Sequence, residues 1–295
     1  MSHRTVFPAL TALTALLLAV PACDSDLKDE KFGDLEITTT APTIEQPFVT
    51  ADGWSVDYEQ FLVHLTAINV AGLEDEVLTA SAAEVVVDQA KPGPKQLLFS
   101  SVRKPRTWDD VNFQIGPALP AEESAATLLG YEAPETTTEA PPPPPPELAL
   151  LQSGGYSIYV TGTATRGAEV KKFAWGLTTD TLYSACTGGI TVPPDALGTV
   201  NITMSGTAFF ADDLLVGAPL RFDPIAAADA DGDGNVTLDE LVAVPIEDVR
   251  TATGAMYSGE SETLAGYLSE QARGIVSGYG SQGTCTAEAV TEETE

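Results

Sequence analysis

Between Asp229 and Glu240 the chain carries an oxygen-bearing residue at every second position and closes on a glutamate. The run reads Asp229-Ala230-Asp231-Gly232-Asp233-Gly234-Asn235-Val236-Thr237-Leu238-Asp239-Glu240. Asp229, Asp231 and Asp233 bring carboxylates from one tightly turning segment. Gly232 and Gly234 lie among them and allow sharp backbone turns that a Cβ opposes. Asn235 and Thr237 add an amide and a hydroxyl oxygen, and Glu240 adds a further carboxylate. Every donor is a hard oxygen and none is soft, so the chemistry is the binding of a hard divalent cation. If Glu240 binds through both of its oxygens, the larger coordination number suits Ca²⁺ better than the small octahedron of Mg²⁺. Carboxylates crowded at one point repel one another without the ion, so binding and local ordering are expected to be coupled.

The run resembles the calcium loop of the EF-hand family. The resemblance implies that Asp229, Asp231, Asp233, Asn235, Thr237 and Glu240 form the ligand set, Asn235 through its backbone carbonyl, Thr237 directly or through a water and Glu240 through both oxygens, with Gly234 at the sharp turn and apolar Val236 packing behind them. The flanks differ from the family. Asp223-Pro224 reads as an N-cap followed by proline at the first helical position, which leaves about Pro224 to Ala228 for an entering helix. Pro245 stops the exiting helix soon after Leu241 and Val242. No second loop of this kind occurs, and Val236 has no obvious mate for the short ladder that pairs such loops. A sensor needs long helices that swing apart. The expectation is a structural calcium site, with affinity on the order of 10⁻⁴ to 10⁻³ M.

The elements that must hold this loop read as mainly β: a sandwich-like, antiparallel fold with one or two short helices, α+β overall. Trp54, Val56 and Tyr58 alternate, then Phe61, Val63, Leu65 and Ala67 do so. The step from Tyr58 to Phe61 has one residue too many, which predicts a β-bulge at Glu59-Gln60. Val85 to Val87 and Leu97 to Val102 are short strand candidates. Val111, Phe113 and Ile115 alternate and stop at Gly116-Pro117. Further on, Tyr156, Ile158 and Val160 alternate, as do Phe173, Trp175 and Leu177, and Val200, Ile202 and Met204. Strands at this spacing suggest a sandwich. Leu264, Tyr267, Leu268, Ala272 and Ile275 share one helical face, which predicts an amphipathic helix over Ser261 to Val276 with a core-facing stripe.

The N-terminus reads as an export signal over residues 1–22: Arg4, then the apolar run Leu10 to Val20, too short for the ~20 residues that cross a bilayer. Val20-Pro21-Ala22-Cys23 resembles a bacterial lipobox, which implies diacylation of Cys23 and anchoring in the cell envelope, at the periplasmic face of the outer membrane or at the cell surface. Val20 and Pro21 differ from the usual residues, and plain secretion is the alternative. If Cys23 carries lipid, Cys186 and Cys285 remain, and an oxidising compartment makes them a disulfide. The alternative is a thiol nucleophile with His64 as its basic partner. Residues 23–47, acidic and then rich in Thr and Pro, read as a flexible tether. Residues 48–130 form a first β segment, 131–147 a Pro-rich linker or loop around Pro141 to Pro146, and 148–290 a second β segment with the loop and the helix. The two β segments are separate domains or one composite domain, and the few strands of 48–130 favour the composite.

Charge and composition narrow the function. With 14 basic and 43 acidic residues the formal net charge is −29, and duplex binding through phosphate neutralisation has no material. The membrane is reached through the lipid anchor only. A looser resemblance joins Trp54-x-Val56-x-Tyr58…Phe61-Leu62-Val63-x-Leu65 and Trp108-Asp109-Asp110-Val111-Asn112-Phe113-Gln114-Ile115-Gly116-Pro117. These stretches are similar to periplasmic β-sandwich proteins of the methanobactin-associated copper-binding kind. Copper wants imidazole or thioether ligands, and after processing the chain keeps only His64, Met204 and Met256, with His64 expected to be a packed or surface residue. No Gly-x-Ser-x-Gly and no phosphate cradle occur, so no catalytic constellation is identified. Asp109-Asp110 and Asp212-Asp213 are expected to be solvated surface or an extra calcium contact. The leading reading is a calcium-stabilised envelope lipoprotein, a binding or scaffolding module for an envelope protein or glycan. The alternatives are a secreted hydrolase with acidic catalytic residues and a metal-handling protein.

Overall fold

A computed structural model describes residues 32–41, 47–71, 84–102, 107–131, 144–215 and 217–290. The export signal, Cys23 and most of the Pro-rich segment (132–143) lie outside them. In chain order the first strands are β1 (Gly33–Thr40), β2 (Phe48–Val49), β3 (Ser55–Ala71), β4 (Val85–Asp88), β5 (Lys95–Val102), β6 (Thr107–Trp108), β7 (Asp110–Ile115) and β8 (Thr127–Leu128). Helix α1 (Pro146–Gly154) precedes β9 (Ile158–Arg166), β10 (Glu169–Leu177), β11 (Thr181–Ser184), β12 (Ile190–Thr191) and β13 (Leu197–Met204). The C-terminal part holds α2 (Asp223–Ala226), β14 (Asn235–Thr237), α3 (Leu238–Val242), α4 (Leu264–Gln271), β15 (Val276–Tyr279) and β16 (Thr286–Ala289). Among the described residues no helix is long and apolar enough to cross a membrane.

The architecture is mainly β with a few short helices, an α+β sandwich. One sheet has the order β15-β13-β1-β5, and a larger one runs β14-β10-β9-β3-β7-β11-β16. Most pairings are antiparallel, but β1–β13, β10–β14 and β4–β8 are parallel, so the sheets are mixed. Strand β3 pairs with β9 from Ser55 to Val63, so both β segments contribute to one sheet. The ladder shifts register between Tyr58 and Gln60, which leaves Glu59 as the extra residue. The inward faces supply one buried cluster, including Ile37 and Ile202 from the smaller sheet and Val63, Phe113, Val160 and Trp175 from the larger. Gly162 lets the Phe173 ring lie against β9, because a Cβ there would stand 2.5 Å from the ring.

Residues 33–40 correct the expected tether. They form β1, inside the smaller sheet between β13 and β5, with Leu35, Ile37 and Thr39 fully buried. Its acidic and threonine content hides a period of two, and β-branched threonines favour extended backbone. The remainder of that stretch, residues 23–31 and 42–46, lies outside the described residues. The end of the expected Pro-rich linker is also structured, since Pro146 opens α1, where a missing N–H is harmless. Leu148 and Leu151 of α1 pack with Leu62 and Val86 in a second cluster on the outer face of the larger sheet. The expected helix over 261–276 is shorter. It starts at Leu264, capped by the Thr263 hydroxyl that accepts the Gly266 N–H at 3.2 Å. It ends in a 3-10 turn over Ala272–Gly274, after which Val276 joins β15 on the β13 edge. Ladder bonds offered by β13 outweigh the continuing helical stripe.

Cys186 and Cys285 are joined by a disulfide across a sequence separation of 99. It sits at the mouth of the β11–β16 ladder, where Ser184 faces Thr286. Strand β16 is exposed along its whole length, so little buried surface holds it. Replacing both cysteines with serine is expected to destabilise the fold by about 3–5 kcal/mol in denaturant unfolding, with amide protection lost first in β16. Unaltered stability would show that the ladder holds without its clamp.

His64 is fully buried in β3, where it stands opposite Val86 of β4 in the ladder. Its Nδ1–H donates to the Gly116 carbonyl at 2.9 Å, and Nε2 lies 3.9 Å from Glu84 Oε2. Burial lowers its pKa below the usual imidazole value, with the Gly116 carbonyl and Glu84 opposing. The unfolded chain takes up this proton near pH ~6.5 while the folded chain resists it. Folding stability from this group is therefore full above that pH and declines as pH falls toward the lowered folded value. Melting curves between about pH 7.5 and about pH 5.5 should show a shallower decline for His64→Gln than for the native chain. Identical slopes would remove His64 from this account.

Candidate metal centre

Alternation along β10 sends Lys171, Phe173 and Trp175 toward the interior and Lys172 and Ala174 toward solvent. The edge of β10 takes β14 in parallel register: Lys172 beside Asn235, Phe173 beside Val236, Ala174 beside Thr237. The Lys172 N–H donates to the Gly234 carbonyl at 2.8 Å, and the Trp175 indole N–H donates to the Val236 carbonyl at 3.0 Å. Val236 is buried in the aromatic core. The mate missing from the sequence is thus a sandwich strand in place of a second loop.

The flanking helices are fixed from outside. Helix α2 begins at Asp223, one residue before the expected start, and Asp223 is not its cap. The Asp52 carboxylate, from a distant turn, accepts the N–H groups of Phe222 and Asp223 at 2.9 and 2.8 Å. This satisfies the orphan donors of the first turn. Asp223 Oδ1 instead accepts the Trp54 indole N–H at 2.9 Å and pairs with Arg166 at 2.5 Å. Helix α3 starts from a capping box: the Glu240 N–H donates to the Thr237 hydroxyl, and Glu240 Oε2 accepts the Thr237 N–H at 2.8 Å. Leu241 docks fully buried.

Between the helices the loop closes on itself. Asp229 accepts the Gly232 N–H on Oδ1 at 2.9 Å and the Gly234 N–H on Oδ2 at 3.0 Å. Asp231 accepts the Asp233 N–H at 3.0 Å, and Asp233 accepts the backbone and side-chain N–H groups of Asn235 at 2.6 and 3.0 Å. One carboxylate oxygen from each of Asp229, Asp231 and Asp233 lies within 4.8 Å of the others. Glu240 Oε1 accepts the Ala230 N–H at 3.2 Å, which brings the last residue of the run back to its start. The side chains of Asn235 and Thr237 are engaged by Asp233 and Glu240, so the structure gathers the three aspartates and draws Glu240 to their edge.

Lys171 reaches this group from β10. Its Nζ lies 2.6 Å from Asp229 Oδ2, with the Asp229 side chain fully shielded from solvent and that of Lys171 only 15% exposed. The ammonium holds the Asp229 carboxyl below the usual carboxylate pKa, and Asp229 raises that of Lys171. The Thr237 N–H and hydroxyl likewise lower that of Glu240. Asp229 and Glu240 are therefore ionised at neutral pH. The donor set fits a hard divalent cation on two observations. The converging atoms are all carboxylate oxygens, and the most buried of them already draws a cationic group. Among the described residues no other three His, Cys, Asp or Glu side chains converge in this way.

The other expected site residues fall elsewhere. Met204 is fully buried in the smaller sheet, His64 in the larger one, while Met256 is 58% exposed. Asp212 corrects the expectation of a solvated pair: it is buried and accepts the Ala252 N–H at 2.8 Å, while Asp213 accepts the Ser258 hydroxyl. Lys171, Asp52 and the β10 edge escaped sequence reasoning. The one available signal was Lys171-Lys172, a basic pair in a chain with 14 basic residues, at core-facing parity with Phe173.

Gly234 has φ +84°, and a Cβ there would meet only the Val170 carbonyl oxygen, at an ordinary contact distance of 3.5 Å. Gly234→Ala is therefore expected to destabilise through backbone conformation alone, by about 1 kcal/mol, read as a lower denaturant midpoint. A raised midpoint would show that the left-handed turn is not kept. Comparison of the chain with protein-family models, with curated proteins and with solved structures finds no match.

Proposed function

We propose that this chain is a calcium-binding lipoprotein of the cell envelope, with one EF-hand-like loop as a structural calcium site in a binding or scaffolding module. The observation that carries the reading is the convergence of Asp229, Asp231 and Asp233 within 4.8 Å, in a run whose last residue, Glu240, returns to Ala230. Asp229, Asp231, Asp233 and Glu240 would hold the ion through carboxylate oxygens, Asn235 through its backbone carbonyl, and Thr237 directly or through a water. The bound ion would supply two positive charges against an acidic loop. The chain's own residues do the rest: Val236 and the β10 ladder seat the loop, and Asp52 and the capping box hold its two ends.

A structural role suits the short flanking helices. Helix α2 has four residues and α3 has five, and both dock buried side chains, Ile225 and Leu241, on the core. No long lever is available to swing apart and expose a groove. Calcium would lock the junction between α2, β14 and α3 and would not switch it. Export and anchoring through Cys23 rest on the lipobox resemblance, and the Cys186–Cys285 bond suits an oxidising compartment. The partner of the module, an envelope protein or a glycan, would meet a strongly acidic surface.

Calorimetric titration is expected to show calcium uptake by the native chain and strongly reduced uptake by Glu240→Gln. Calcium at 100 times its Kd is expected to stabilise the fold by ~2.7 kcal/mol, seen as a higher melting temperature. Equal uptake by both proteins would refute the ligand assignment, and an unchanged melting curve at millimolar calcium would refute the structural role.

A further inference from the structure

We infer that Lys171 is a built-in competitor of the loop's cation, a tethered positive charge that holds Asp229 when calcium is absent and sets how weakly calcium binds. The inference rests on the calcium reading of the loop and concerns the regulation of that site. Three observations carry it. Lys171 Nζ is 2.6 Å from Asp229 Oδ2, an ion-pair distance between two shielded groups. The lysine belongs to β10 and precedes Lys172, which the ladder pairs with Asn235, so its Cα is held beside the loop and its side chain is mostly shielded. The other two carboxylates of the cluster, on Asp231 and Asp233, have no ion-pair partner within 4.0 Å among the described residues, and Asp233 and Glu169 add to the negative field at the ammonium.

The physical consequence has two opposite parts. Without calcium, Lys171 offsets the repulsion among the aspartates and orients Asp229, with Oδ2 held by Lys171 and the Gly234 N–H. With calcium, an ammonium and a dication share one carboxylate. Even with the full screening of bulk water, their repulsion weakens binding on the order of tenfold. The same residue therefore supports the calcium-free loop and opposes the loaded one. By linkage, calcium must loosen the hold of Lys171 on Asp229 as much as Lys171 lowers the affinity for calcium. A spring-loaded site of this kind fills only where calcium is abundant, as it is outside the cytoplasm.

The test compares the native chain with Lys171→Met, Lys171→Gln and Lys171→Arg, using calcium chloride as the probe and two readouts, calorimetric affinity and melting temperature. Lys171→Met and Lys171→Gln are expected to bind calcium about tenfold more tightly than the native chain, and Lys171→Arg about equally. In chelator, Lys171→Met and Lys171→Gln are expected to melt below the native chain, and that deficit is expected to shrink or reverse in millimolar calcium. Two neutral variants guard against one that fails to fold. If the native chain binds calcium and the neutral variants bind it equally or more weakly, the inference is overturned while the site stands. Uptake by the neutral variants alone would overturn the calcium reading of the native chain and, with it, the inference that Lys171 tunes a site the native chain fills. No uptake by any of the four proteins would overturn both.

Discussion

Three residues of parallel ladder between β10 and β14 tie a repulsive, acidic loop to an apolar core. Phe173 stacks on Trp175 with ring centroids 4.6 Å apart and meets Tyr58, Phe210 and Phe222 at 5.7 to 6.2 Å. Val236 enters that cluster from the loop, and the Trp175 indole N–H takes the Val236 carbonyl. An isolated loop with this many carboxylates would have little reason to keep one shape. Here the burial of Val236 and the ladder bonds fix its middle, and the capping box fixes its end. The arrangement of the aspartates follows from where β10 holds the backbone.

Electrostatics reinforces the same junction. The chain has few basic residues, and three of them meet the acidic C-terminal part. Arg166 pairs with Asp223 and lies 4.5 Å over the Trp54 ring. Arg221 approaches Asp52 at 3.6 Å, and Lys171 holds Asp229. Exposed pairs such as Arg166–Asp223 contribute little to stability taken singly. Their value is geometric, because Asp52, Asp223 and Asp229 mark the entrance to the loop. Lys171–Asp229 differs in being shielded, and there the ammonium offsets one negative charge of the acidic loop.

Much of the fold was legible along the chain because its signals are local. A period of two marks β3, β7, β9, β10 and β13. The surplus residue at Glu59 marks the bulge, and Gly116-Pro117 marks the end of β7. The cysteine count pointed to the pairing of Cys186 with Cys285. Strand β1 is hidden in the sequence because threonine and acidic residues mask its alternation, and because its burial comes from β13 and β5, each more than 50 residues away in the chain. The helix over 261–276 was overextended because a helical stripe and a strand edge compete for Ile275 and Val276, and only the neighbouring strand decides that contest.

The sequence by itself determined which oxygens the loop brings, at what spacing, and that its flanking helices are short, since these properties depend on neighbours a few residues apart. The tertiary structure alone decided what those oxygens face. Lys171 lies 58 positions from Asp229, and Asp52 lies 170 positions from Phe222. Contacts at such separations leave no periodic trace in the chain, because they arise only when distant strands and turns are packed against one core.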